Sequence, residues 1–149
     1  MPKASVKKLI ECNKKQLINL VLDIESYPSF MPFCLDSKVY EKKEKEEIIS
    51  IIADLTIGRG PFKATYKSDV KFYKGSDTIS VTNIEGPLKH LNNKWIFIEK
   101  KNFTEISFDI DFEIENKFLN IVMSKSFQYG LDKIADSFQK RANDLFKGK

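Results

Sequence analysis

The chain is poor in the residues that build reactive centres: of 149 residues, one is histidine and two are cysteine. Any Ser-His-Asp or Cys-His relay would have to pass through His90, which stands beside a Gly-Pro break and reads as structural or solvent-facing at a loop or strand start. Cys12 and Cys34 have no second cysteine or histidine at metal-ligand spacing, so a disulfide framework and a zinc site are both unexpected; two small buried thiols remain. Long apolar runs are also missing, and nothing approaches the roughly 20 residues that a bilayer-spanning helix needs. The opening Met-Pro-Lys-Ala-Ser-Val-Lys-Lys carries charge without an apolar stretch behind it, so no secretory signal is read and a cytoplasmic or matrix-type address is expected. No repeat, low-complexity tract or linker divides the sequence. One domain over residues 1–149 is expected, long enough to bury about two-thirds of the unfolded chain's surface.

Charge is balanced to +4, too mild by itself to argue for nucleic acid, and no base-reading motif is present; DNA is not an expected partner. Its distribution is uneven. Lys3, Lys7, Lys8, Lys14 and Lys15 face only Glu11 in the first fifteen residues, and Arg59, Lys63, Lys67, Lys71 and Lys74 face only Asp69 further on. The stretch Glu99 to Glu115 reverses this, with six acids against Lys100 and Lys101.

The apolar residues are arranged in two periods. After a short strand at 4–11, Asn13 is placed to cap a helix over 14–22, where Leu17, Ile18, Val21 and Leu22 recur at helical spacing. The segment Tyr27 to Cys34 holds two prolines and four large apolar groups, which predicts a short helix or turn against the core. From Asp36 the period becomes two, with a hairpin at the charged run Glu41 to Glu47. Ile49, Ile51, Ala53, Leu55 and Ile57 share one face; Phe62, Ala64, Tyr66, Ser68, Val70 and Phe72 share another after the Gly58 to Pro61 turn. Strands follow at Thr78 to Glu85 and around Trp95 to Glu99. Then Ile106, Phe108, Ile110, Phe112 and Ile114 alternate without a miss with Ser107, Asp109, Asp111 and Glu113.

Such strands make an antiparallel sheet with one apolar face, and something must cover it. The final segment does so by helical spacing from Phe118 and Val122 to Leu145 and Phe146, with Asn116 as cap and Gly148 as stop: some thirty residues, about 45 Å of helix. The fold class is therefore α+β, a curved antiparallel sheet of about six to seven strands wrapped on a long C-terminal helix. Aromatic side chains on the inward face (Phe62, Tyr66, Phe72, Trp95, Phe97, Phe108, Phe112) either fill a core or line an apolar cavity.

Catalytic readings of the remaining polar groups are weak. Asp109, Asp111 and Glu113 alternate with apolar residues and so belong to the wet face, and Gly58-x-Gly60 is too short for a phosphate cradle. Lys63, Lys67 and Lys71 share one outward face; solvation is the plain reading and contact with anionic lipid or RNA phosphate the functional one.

Three stretches resemble a known family. Tyr27-x-x-Phe30-Met31-Pro32-Phe33-Cys34-x-x-Ser37-x-Val39, Gly60-Pro61-Phe62-x-x-x-Tyr66-x-Ser68-x-Val70, and Gly86-Pro87-Leu88-Lys89-x-Leu91-x-x-x-Trp95-x-Phe97 occur in the order and spacing of the coenzyme Q-binding START-like family. That family lies within the polyketide cyclase/dehydrase grouping and includes ribosome association toxins. Phe33 and Leu88 stand where the family commonly has Trp and Phe, which bears on cavity shape.

The resemblance implies a helix-grip fold and a tunnel that accepts ubiquinone with its isoprenoid tail. The expected lining is Tyr27, Phe30, Pro32, Phe33, Phe62, Tyr66, Trp95, Phe97, Phe108, Phe112, Phe118 and Val122. Ubiquinone would be a bound ligand, not a cofactor, carried as a lipid chaperone for respiratory electron transfer or quinone biosynthesis, peripherally at the inner face of the respiratory membrane. The alternatives are a ribosome association inhibitor, the toxin of a toxin-antitoxin pair acting on the large subunit, and a cyclase-like enzyme. Carriage without catalysis is the expectation.

Overall fold

A computed structural model describes residues 3–59, 62–86 and 88–146, with backbone alone for 59, 62 and 118–129. The order is β1 (Lys3–Ile10), α1 (Lys14–Leu22), a 3₁₀ turn (Ile24–Ser29), β2 (Cys34–Glu44), β3 (Ile48–Arg59), β4 (Phe62–Tyr73), β5 (Thr78–Glu85), β6 (Leu88–Glu99), β7 (Thr104–Ile114) and α2 (Lys117–Phe146). The seven strands form one antiparallel sheet in the order β1-β7-β6-β5-β4-β3-β2.

Strands β2 to β7 follow one another by hairpins, as their period-two pattern and turn residues predict. Strand β1 breaks the sequence: it pairs with β7, from Lys3 opposite Asp111 to Ile10 opposite Thr104. Helix α1 and the 3₁₀ turn therefore carry the chain from one edge of the sheet to the other. Asn13 caps α1 with a full capping box, its side chain accepting from the Gln16 N–H at 2.8 Å while the Gln16 side chain accepts from the Asn13 N–H at 3.2 Å. The opposite edge, β2, exposes Lys38, Lys42 and Lys43, charges that discourage pairing with another chain.

The sheet curves where its register slips. Bulges fall in β2 at Cys34/Asp36 and Val39/Glu41, between β4 and β5 at Lys67/Ser68, and in β6 at Leu88/His90. Helix α2 packs along the concave side against β1, β7 and α1. Its second half buries Leu131, Ala135, Phe138 and Ala142 at spacings of four, three and four, one face of the helix.

One element is longer than its pattern suggests. Strand β6 begins at Leu88, not near Trp95, because Asn93 occupies an inward position that alternation reserves for an apolar residue. Asn93 is accommodated there by two bonds: its amide donates to the Asp109 carbonyl at 2.9 Å and its oxygen accepts from Trp95 Nε1 at 3.0 Å. Gly148 lies outside the described residues.

Candidate functional site

Among the described side chains, the inner rows of β3, β4, β5 and β7, and of β6 from Leu91 to Phe97, carry no charge; Arg59, the last position of the β3 inner row, has its side chain outside them. The rows divide by what covers them. At one end, Ile10 of β1, Leu17 and Val21 of α1, Ile51, Val70, Phe72, Ile79, Trp95, Phe97, Ile106 and Phe108 close on Phe138 and Ala142 of α2 in one packed cluster. Trp95 lies 4.2 Å from Phe108, 5.2 Å from Phe138 and 6.4 Å from Phe97, ring centre to ring centre. Tyr27 and Phe30 meet the other edge of Phe138 at 5.6 and 5.2 Å. Five expected lining residues, Tyr27, Phe30, Trp95, Phe97 and Phe108, are thus brought together, and they pack against Phe138 or one another.

Toward the other end the inner face belongs to Leu91, Phe112 and Tyr66. Leu91 and Phe112 are paired across β6 and β7 and buried, outside the packed cluster of described residues. Phe62, Phe118 and Val122, expected in this lining, have side chains outside the described residues.

The Tyr27 to Cys34 segment joins the two ends. Tyr27 donates its hydroxyl to the Val21 carbonyl, and burial pushes that hydroxyl's pKa far up. Pro32 is half-buried in the turn that follows. Phe33 then takes a left-handed backbone conformation, φ 68°, which a bulky residue rarely adopts. Its carbonyl accepts from the Gly58 N–H at 2.9 Å, and its ring reaches α2, where a Cβ on Gly130 would lie 3.6 Å from Phe33 Cε2. Two Cys thiols, both free, are held protonated by burial and are poor nucleophiles.

The polar candidates lie elsewhere. His90 is in β6, on the outer face, with Nε2 3.1 Å from Asp111. Asp111 also faces Lys3 at 3.9 Å, and Glu113 faces Lys89 at 3.9 Å. A shallow outer depression of about 660 Å³, lined by Lys3, Ser5, Lys94, Asp109 and Asp111 among others, is open and of mixed charge, unlike the inner face. Of the three lysines of β4, Lys67 pairs with Glu85 at 3.3 Å and Lys71 with Asp69 at 3.2 Å; only Lys63 stands apart from these pairs, so the row is not a bare cationic stripe. Among the described residues no group of three His, Cys, Asp or Glu is placed to hold a metal. None of their helices is long and apolar enough to cross a membrane.

Ser37, part of the first family motif but not of the expected lining, has its Oγ buried on the inner face with no hydrogen-bond partner among the described residues. Only its position two residues before Val39, in the same alternating set, pointed inward. Arg141 of α2 was not expected at the site either. Its guanidinium carbon stands 5.4 Å from the Phe30 ring centre, so its stem completes the packed end.

A curved antiparallel sheet gripping one long C-terminal helix over an uncharged inner face defines a START-like, helix-grip protein. The match to a START superfamily protein from Mycobacterium smegmatis agrees in fold, with a TM-score of 0.80 at 14% identity over 96% of this chain and 98% of that one. The chain belongs to the polyketide cyclase/dehydrase and lipid transport family, whose model matches residues 13–139. Among named relatives, the "Ribosome association toxin RatA" of Rickettsia prowazekii is 29% identical over 143 residues, 94% of this chain and 95% of that protein. The "Coenzyme Q-binding protein COQ10, mitochondrial" of Dictyostelium discoideum is 30% identical over 134 residues, 88% of this chain and 64% of that protein. The chain thus spans a little under two-thirds of the COQ10 relative.

Proposed function

We propose that the protein is a non-catalytic carrier of an isoprenoid quinone, ubiquinone by class, serving respiratory electron transfer or quinone biosynthesis. The observation that carries this reading is the inner face, whose described side chains over five strands are uncharged and mostly apolar or aromatic, gripped by one long helix. A polyprenyl tail needs little else, because buried apolar area holds it at roughly 25 cal/mol per Å² without polar recognition. The likeness to a coenzyme Q-binding protein supports the same ligand. A cyclase-like reaction would need acid and base groups converging inside. The described polar groups of the inner rows are hydroxyls and the amides of Asn83 and Asn93, none of them an acid or base at neutral pH, and the Ser68 hydroxyl is engaged with the Ala53 carbonyl at 3.3 Å.

The test is mass spectrometry of lipid extracted from the purified protein, followed by titration with added ubiquinone. Co-purified quinone, or saturable uptake of it, is the expected result; neither being seen sinks the reading.

A second reading, inhibition of ribosomal subunit association, is favoured by the match to the RatA toxin over nearly the full length of both chains. Induced expression followed by sucrose-gradient profiles separates the two readings. Accumulation of free subunits supports the ribosomal role, and unchanged joining rejects it.

A further inference from the structure

We propose that Ser37 and Tyr66 form a polar anchor on the inner face, where their hydroxyls donate to the carbonyl oxygens of a flat, neutral ring at the head of the bound lipid. The inference rests on the quinone-carriage reading and assigns the residues that hold the headgroup. Ser37 of β2, Leu55 of β3 and Tyr66 of β4 stand opposite one another in register, so all three side chains project into the concave side in a single row. Ser37 Oγ is buried and makes no hydrogen bond with any described residue. Buried hydroxyls are nearly always bonded, so an orphan on a ligand-facing surface calls for a partner.

The neighbouring polar groups do not supply one. In the adjacent row Ser68 is engaged with Ala53, Tyr27 with Val21, and the Cys34 thiol leans on the Asp36 carbonyl at 3.7 Å. Tyr66 and Ser37 are the hydroxyls left over on this part of the face. Burial holds the Tyr66 phenol protonated far above neutral pH, so it acts as a donor. Among the described side chains of β3, β4 and β5, no cation faces the row. An anionic headgroup would therefore be buried without a counter-charge, whereas a carbonyl oxygen accepts from two neutral donors. Two strand spacings, about 10 Å, separate the backbones of Ser37 and Tyr66. That span suits a ring bearing an oxygen at either edge better than a single oxygen.

Tyr66 is also held in place from behind. Gly86, at φ +132°, lies so close that a Cβ there would stand 2.8 Å from Tyr66 Cβ and 2.9 Å from its Cα. Only glycine fits, and the strand break after β5 thereby presses on the backbone that aims the phenol.

The experiment uses the full chain and two probes: decylubiquinone, and decylbenzene as a tail-matched ring without oxygens. Trp95, the sole tryptophan, reports quinone by quenching, and decylbenzene is followed by its displacement of quinone. Ser37→Ala and Tyr66→Phe should each weaken decylubiquinone binding about two- to tenfold, the double variant more, with decylbenzene unaffected. Thermal melts confirm folding, and Ser37→Ala should melt at or above the parent because it removes an unpaired buried hydroxyl. A folded double variant that binds decylubiquinone like the parent overturns the anchor. So does a parent that holds decylbenzene as tightly as quinone, although carriage then stands. A parent that binds neither probe overturns carriage itself, and the anchor with it.

Discussion

The concave face of the sheet is finished differently at its two ends. Around Phe138, the ring that α2 sends into the core, Trp95, Tyr27 and Phe30 meet edge to face, α1 closes one side, and Phe138 itself is fully buried. Around Tyr66 and Phe112 the same sheet lies outside that cluster of described residues, with an unpaired hydroxyl at Ser37. A continuous sheet has thus been given one end packed around Phe138 and another whose inner face carries the unpaired Ser37 hydroxyl. Buried hydrogen-bonding groups are normally satisfied, so an unpaired hydroxyl on the concave face is the expected mark of a binding surface.

The widest separation between the two ends should come from paired substitutions. Phe138→Ala removes a fully buried ring and should cost about 3–5 kcal/mol, lowering the melting temperature by roughly 10 °C, while quinone uptake per folded molecule persists. Phe112→Leu should do the reverse, weakening uptake while the circular dichroism spectrum is retained and the melting temperature falls far less. If both substitutions act alike on stability and uptake, the division into two ends is wrong.

Gly86→Ala comes next. Strained φ and contact with Tyr66 together should destabilise by about 2 kcal/mol, and uptake should weaken as the phenol shifts. Denaturant melts and quinone titration of one sample check both.

A smaller, pH-confined loss is expected from the buried tyrosines. Burial raises the pKa of Tyr27 and of Tyr66, while the unfolded chain ionises its tyrosines near pH 10. Their contribution to stability is therefore full below about pH 10 and is lost progressively as pH rises above it toward the folded-state values. Urea melts at stepped pH should show this decline, and Tyr27→Phe with Tyr66→Phe should flatten it.

The smallest effect lies far from either end. Asn13→Ala removes the capping box of α1 and should cost about 1 kcal/mol, with no change in uptake. A loss of uptake there would mean that α1 takes part in holding the ligand.

Much of this architecture could be read from the chain because it is written in local periods. The unbroken alternation from Ile106 to Ile114 reappears as β7, Asn13 caps a helix over residues 14–22, and the long apolar period ends as α2. The inward set of β3 and β4 was legible for the same reason: a period of two assigns a face without knowledge of the partner strand. Strand β6 was cut short because Asn93 breaks that period, and its tolerance depends on Asp109 and Trp95, one of them on another strand.

The sequence by itself determined a one-sided antiparallel sheet, its covering helix, the shortage of catalytic groups and the aromatic residues of the inner face. Only the tertiary structure decided that β1 closes onto β7, that the rings around Phe138 pack as core, and that Ser37 is left unpaired in a row with Tyr66. The reason is physical. Periodicity fixes which way a side chain points, whereas what it meets depends on strands and helices distant in the chain, and a buried hydroxyl becomes a binding feature only when all of its potential partners are otherwise engaged.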